Sequence, residues 1–376
     1  MTDILTSNQT RAPVAIDGNA ASTSAANTHL VAREVSDVAG ALRVITSGET
    51  LSESEAEAVL GDIMEGAASG LQIAALLGAL RMRGETVAEI TGFARAMRGR
   101  MVAVRPMSTH VVDSCGTGGD SRHGISTFNV STAAAFIASG AGAIVAKHGN
   151  RAQSSRCGSA DVLEALGVKL DLSAERIAQC IDEIGIGFMF AQTHHPAMKT
   201  VAPIRRELGI RTIFNLLGPL ANPAGADSQV MGVSDARWLL PIAQTLRALD
   251  TRHAIIAHSR DGLDEFSTCA PTDYIEIKHG ELHQGTLDPH DLNCACALPA
   301  SLQGGDAHDN ATIIQQLLHD AHGPTGDLAC LNASAVLVAA DLARDFKEGL
   351  KLARLSVNSG AAREKLHRLI AFSNLV

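Results

Sequence analysis

Between Val111 and His258 short apolar segments alternate with longer amphipathic ones, and no other feature constrains this chain as strongly. Residues 111–112, 144–146, 188–191, 229–233 and 254–258 read as strands, and 161–166, 196–208 and 236–249 as the helices between them. Strands joined through helices build a mostly parallel sheet covered on both faces. Pro203 inside the second helix predicts a kink or break there. Residues 271–305 read as irregular apart from a β-hairpin over 274–282, and the chain returns to helices at 312–319, 332–343, 350–358 and 363–372. Ahead of Pro106, residues 35–100 carry only helical stripes, such as Ala56, Val59, Leu60 and Ile63, punctuated by Gly48, Gly70 and Gly84. The expected fold is a small helical domain over 31–105 and a larger α/β domain over 106–376, preceded by a disordered tail over 1–30 rich in Ala, Ser, Thr and Asn.

The chain's 376 residues suffice for a sizeable core, and with aromatics at 3% that core must be aliphatic. A formal charge of −9 argues against a nucleic-acid surface, which needs a basic face, but leaves room for a local basic pocket. The seven cysteines form no Cys-x-x-Cys pair and read as free thiols of a reducing cytoplasm. No apolar run reaches membrane-spanning length.

Four segments carry candidate chemistry. Gly116-Thr117-Gly118-Gly119-Asp120 follows a strand, and Asn129-Val130-Ser131-Thr132 opens an Ala-rich helix. Glycines bring backbone N–H groups close to a ligand, and a helix N-terminus attracts anions. Alone, the pattern fits a tight strand-to-helix turn capped by Ser131 equally well. Second, Lys147-His148-Gly149-Asn150-Arg151, with Ser154, Ser155 and Ser159, follows the next strand. Cations, an amide and hydroxyls suit phosphates and ribose hydroxyls, although a polar surface loop has the same inventory. Third, Asp261-Gly262-Leu263-Asp264-Glu265 offers hard oxygen ligands of the kind Mg²⁺ takes. Taken alone, a solvated acidic turn explains it better. Fourth, Arg205 lies beside the buried stripe Val201, Ile204, Leu208, where its planar guanidinium can clamp a carboxylate. A lone arginine is more simply a surface residue paired with a nearby glutamate.

In their order along the chain, these segments, with Gly158–Gly167 and Thr212–Pro223, resemble the anthranilate phosphoribosyltransferase family over roughly residues 35–376. The resemblance implies a cleft between a helical domain (with later helices from about 173–210) and an α/β domain of the nucleoside phosphorylase/phosphoribosyltransferase class. It implies a homodimer formed through the helical domain, and phosphoribosyl transfer from phosphoribosyl pyrophosphate to the anthranilate amine. Gly116, Gly118, Gly119, Asp120, Thr127, Asn129, Ser131, Thr132, Lys147, His148, Gly149, Asn150, Arg151, Ser154, Ser155 and Ser159 would then contact substrate. Asn150 and Arg205 would bind anthranilate, with His148 and His195 along its path. Ser131, Asp264 and Glu265 would hold one or two Mg²⁺ ions, and Arg205, Asp264 and Glu265 would carry catalysis. The sequence departs from the family where Ser121 directly follows Asp120 and residues 121–128 run a few positions longer. Two rivals share the fold: a metal-free nucleoside phosphorylase, disfavoured by Arg205 and the acidic pair, and a non-catalytic nucleic-acid-binding relative, disfavoured by the charge.

Overall fold

The computed structural model describes residues 35–118, 126–152, 155–294 and 298–375. The tail expected over 1–30, the candidates Gly119, Asp120 and Ser154, and residues 121–125 of the longer segment lie outside them.

The chain starts as four helices, α1 (Val38–Thr46), α2 (Glu53–Met64), α3 (Gly70–Arg83) and α4 (Val87–Gly99). The last three begin with capping boxes, Ser52 with Glu55, Ser69 with Gln72 and Thr86 with Glu89, which satisfy N–H groups the helix leaves unpaired. Their inward stripes, including Val59, Leu60, Leu76, Leu77 and Ile90, are buried in one core.

Among the described residues seven strands form one sheet, in the order β3-β2-β1-β4-β5-β6-β7. They are β1 (Val112–Gly116), β2 (Val145–Gly149), β3 (Ile186–Phe190), β4 (Ser228–Gly232), β5 (His253–Ser259), β6 (Thr272–Lys278) and β7 (Glu281–Leu287). The first five are mutually parallel, and β6 and β7 add an antiparallel edge. The sheet is therefore mostly parallel, as the alternation requires. The hairpin is longer than residues 274–282, and His279 and Gly280 turn it with φ of 53° and 77°. Positive φ at both central residues matches the twist of the flanking strands.

Helices cover both faces. α5 (Val130–Gly140) and α13 (Pro324–Ala339) lie at the heart of one core, with α6 (Ser159–Ala165), α12 (Ala307–His319), α14 (Phe346–Asn358) and α15 (Ala361–Asn374) around them. On the opposite face, α10 (Phe214–Leu220) and α11 (Leu239–Ala248) merge the sheet with the core of the helical bundle. Of the later helices expected to join that bundle, α9 (Ala202–Leu208) packs on α3, whereas α7 (Ala174–Ile184) packs on β3 and α15.

The helix expected over 196–208 is divided. After α8 (Ala191–His194), a 3-10 turn spans Pro196–Lys199 and α9 starts at Ala202. Pro203 therefore sits in the first turn of α9, where its missing N–H costs nothing. α10 had no counterpart in the sequence reading, because Gly218 and Pro219 near its end look like a breaker. The six cysteines among the described residues are free, and none of the described helices is long and apolar enough to cross a membrane.

Candidate active site

Parallel strands converge on a crevice at their carboxyl ends, where α/β sheets bind ligands. Three neighbours in the sheet end there in glycine: β2 in Gly149, β1 in Gly116 and β4 in Gly232. Each lies under another element. A Cβ on Gly116 would stand 2.3 Å from Asp264 Oδ2, and one on Gly232 would stand 1.4 Å from the Asp264 carbonyl oxygen. A Cβ on Gly149 would meet Ser159 Oγ at 2.1 Å.

The acidic turn after β5 reaches into this crevice. Gly262 adopts φ +97°, its N–H donates to the Ser259 carbonyl at 2.8 Å, and Asp261 accepts the Ser267 hydroxyl at 2.6 Å. Asp261 thus closes its own turn and projects the next two carboxylates. Asp264 Oδ2 accepts the N–H of Gly118 at 2.7 Å, and Glu265 Oε1 accepts the N–H of Ser131 at 3.2 Å, near the start of α5. From α13, buried Asn332 holds the turn by both ends of its amide: Oδ1 accepts the Phe266 N–H and Nδ2 donates to the Phe266 carbonyl, each at 2.9 Å.

Lys147 lies beneath, buried, donating from Nζ to the Ser114 carbonyl at 2.6 Å and to Ser131 Oγ at 3.3 Å. Burial pulls its pKa below the ordinary lysine value, against the attraction of Asp113. Asp113 is itself fully buried, with Oδ1 accepting the His148 N–H at 3.1 Å, and burial pushes its pKa up against the opposing charge of Lys147. The rings of His148 and His195 lie 5.0 Å apart. Burial first, then the neighbouring imidazoles, holds His148 well below its usual pKa and His195 down to about 4. Both rings are therefore neutral, apolar-bodied walls at neutral pH.

Arg205 is half-buried, with its guanidinium 5.4 Å from the Phe214 ring centre. Among the described residues it makes no ion pair with a carboxylate, so the simple surface pairing considered for it is not found. Burial, then repulsion from Arg211, depresses its pKa.

Gly116, Gly118, Ser131, Lys147, Asp264 and Glu265 are thus joined by direct contact, while other candidates have different partners. Arg151 donates to Asp161 at 3.0 Å and to Glu164 at 2.8 Å on α6, a position reached because the loop folds back over that helix start. Asn150 Oδ1 accepts the Arg151 N–H at 2.8 Å, and the Asn150 carbonyl accepts Ser159 Oγ at 3.4 Å. Ser155 Oγ donates to the Cys157 carbonyl at 3.3 Å. Asn129 bonds the Cys157 carbonyl and Asn310, Thr127 bridges to Gln303, and Thr132 is buried within α5. Sequence reasoning passed over Asp113, Arg211 and Asn332. Asp113, a carboxylate inside a buried strand, was the one detectable signal.

Among the described residues no group of three or more His, Cys, Asp or Glu side chains is arranged to hold a metal alone. Two adjacent carboxylates without further protein acids fit Mg²⁺ shared with substrate phosphates, the usual mode for that ion.

A helical bundle beside a mostly parallel sheet, with a glycine-lined crevice under an acidic turn, defines an α/β protein with a ligand crevice at the carboxyl ends of its strands. The profile described as "Glycosyl transferase family, helical bundle domain" matches residues 39–101, and "Glycosyl transferase family, a/b domain" matches residues 108–363. The anthranilate phosphoribosyltransferase of Rubrobacter xylanophilus is 52% identical over 89% of this chain and 96% of its own, and that of Symbiobacterium thermophilum 49% identical over 89% and 97%. The crystal structure of the enzyme from Thermus thermophilus superposes with a TM-score of 0.84 at 43% identity, over 89% of this chain and 99% of that one. The Saccharomyces cerevisiae enzyme in complex with PRPP and Mg gives 0.81 at 25% identity, over 89% and 97%. The chain belongs to the anthranilate phosphoribosyltransferase family. It is a pentosyltransferase of tryptophan biosynthesis that moves the phosphoribosyl group of phosphoribosyl pyrophosphate to the amine of anthranilate, releasing pyrophosphate.

Proposed function

We propose that the clasp of Asp264 and Glu265 over the N–H groups of Gly118 and Ser131 marks where the pyrophosphate end of the donor binds. That clasp is the observation carrying the reading, because N–H groups that donate to carboxylate oxygens also donate to phosphate oxygens. Asp264 and Glu265, with Ser131, would hold one or two Mg²⁺ ions, which supply neutralisation of charge on the leaving group. Lys147 adds a buried cation beside them, and Gly116, Gly119, Asp120, Thr127, Asn129, Thr132 and the residues of the 147–155 loop complete the donor site, with Ser159 behind it.

Arg205 binds the anthranilate carboxylate, supported by its lack of an ion-pair partner among the described residues, and Asn150 binds the same substrate between His148 and His195. As the bond from the anomeric carbon to pyrophosphate breaks, the amine nitrogen bonds to that carbon and gives up a proton to the released pyrophosphate or to water. A neutral aryl amine needs no strong base, so orientation and electrostatics carry the rate. The exposed Leu71 and Met82 of α3, at 86% and 87%, support a homodimer through the helical part, with the division between the two parts near residue 105. A cytoplasmic location fits the free thiols.

The test is a fluorescence assay of anthranilate consumption with phosphoribosyl pyrophosphate and Mg²⁺. Turnover that stops on chelation is expected; well-folded protein without turnover, or turnover indifferent to chelation, would refute the reading.

A further inference from the structure

Thr117 and Gly118 form the part of the glycine turn next to β1, and their carbonyl oxygens are gripped by one side chain. Arg211 Nη2 donates to the Thr117 carbonyl at 2.8 Å and Nη1 donates to the Gly118 carbonyl at 2.6 Å. A guanidinium is a rigid planar fork, so two carbonyls held by one fork are fixed relative to each other. The peptide between Thr117 and Gly118 is planar, with its C=O and N–H pointing opposite ways. Holding the oxygen from the Arg211 side therefore turns the Gly118 N–H toward Asp264, where it bonds at 2.7 Å. Gly118 has φ +64°, a conformation that glycine adopts without side-chain strain but does not choose strongly by itself. An outside constraint is needed to select it.

Where Arg211 comes from gives the grip its second meaning. It stands in the short connection between α9, which carries Arg205, and α10. α9 packs on α3 and α10 on α4, so this connection is anchored to the helical bundle. The Arg211 charge is also felt at Arg205. One residue thus ties the acceptor side of the crevice to the donor turn on the sheet.

We infer that Arg211 is a positioning residue that aims the glycine turn at the donor's pyrophosphate and links that turn to the segment binding the acceptor. This rests on the donor and acceptor placement proposed above. Arg211 touches neither reacting atom; it acts through the backbone of Thr117 and Gly118 and through the field at Arg205.

The experiment compares Arg211→Met and Arg211→Lys with the wild-type enzyme. Affinity for inorganic pyrophosphate with Mg²⁺ is measured by calorimetry, KM for both substrates is measured in turnover, and thermal melting checks the fold. Arg211→Met is expected to weaken pyrophosphate binding by about tenfold or more, from the loss of two charge-assisted bonds, and to raise both KM values together. Arg211→Lys keeps the charge but cannot fork, so it should restore the anthranilate KM more than the donor KM. Folded variants with wild-type pyrophosphate affinity, or a lysine variant equal to wild type in donor KM, would overturn the inference. If Arg211→Met melts early, the lysine variant alone decides. Wild-type enzyme that binds no pyrophosphate with Mg²⁺ would instead sink the donor-site reading, which keeps the two failures apart.

Discussion

The two ends of the sheet use similar residues in opposite ways. At the amino end, charged side chains answer one another. Buried His253 sits between Asp341 at 2.9 Å and Glu276 at 2.8 Å, and Lys278 approaches Asp341 at 3.3 Å. Arg252 joins Asp341 to Asp227, and Asp227 also meets His110 at 3.0 Å. Although burial works the other way, Arg252 and His253 hold Asp341 down to about 2. At the carboxyl end four charged groups reach the backbone: Asp264 and Glu265 accept N–H groups, while Lys147 and Arg211 donate to carbonyls. Here burial moves Asp113 up and Lys147 down, each toward its neutral form. Mutual pairing is the mark of a clamp that stabilises. Charge set against main chain and solvent-excluded walls is the mark of a site that exchanges partners with a ligand.

The contrast can be broken most forcefully at the acidic pair. Replacing Asp264 with Asn and Glu265 with Gln should cut kcat/KM by at least about a hundredfold and raise the Mg²⁺ concentration needed for half-maximal rate, since even outer-shell partners of a metal are worth ten- to a hundredfold. An unchanged Mg²⁺ titration would remove these residues from the metal site. Next comes Arg205→Ala, where losing one charge-assisted bond of about 1.5–3 kcal/mol should raise the anthranilate KM roughly ten- to a hundredfold and leave pyrophosphate affinity unchanged. A shift in donor affinity instead would show that Arg205 does not belong to the acceptor side.

The smallest effect lies at the amino end. Asp341→Asn should leave kcat/KM unaltered and lower stability by about 1 kcal/mol or less, because the pairs are partly exposed and solvent-screened. The pH dependence separates the two ends more cleanly. His195 falls from 6.5 to about 4 in the folded chain, so the unfolded state takes up that proton first. Its stabilisation is complete above about pH 6.5 and is lost as pH falls toward 4. Asp341 falls from 3.8 to about 2, so its share persists to lower pH and is lost between those values. Thermal melts of Asp341→Asn should therefore match the wild-type slope above about pH 4 and be flatter below it; equal slopes below that pH would dissolve the contrast.

Much of this was legible in the sequence because it rests on local rules. Period and punctuation locate the four bundle helices and bring β3, β4 and β5 within two residues of their expected ends, since side-chain spacing depends only on backbone geometry, whereas β1 and β2 run four and three residues further than expected. The acidic turn 261–265, by contrast, reads on its own as a solvated turn, and only its place among the other segments of the family resemblance made Asp264 and Glu265 metal candidates. What stayed hidden depends on distant parts of the chain. Nothing near Arg211 announces that it will reach carbonyls 93 and 94 residues away, and Asn332 looks like any helix-interior asparagine until Phe266 arrives beside it. Arg151 shows the opposite case: its loop reads as a phosphate cradle, and Asp161 and Glu164 lie close enough along the same segment to take its guanidinium.

Gly149, Gly116 and Gly232 leave the floor of the crevice with no side chains at the ends of three adjacent strands. A floor of bare main chain carries the same amide groups whatever the sequence, and most point substitutions elsewhere leave it as it is. On the placement proposed above, the donor meets this backbone floor together with the side chains of Ser131, Lys147, Asp264 and Glu265, whereas the acceptor meets side chains, those of Asn150, His148, His195 and Arg205. On that placement a change of acceptor needs only substitutions on one wall, while a change of donor meets the ends of three strands as well as the side chains above them.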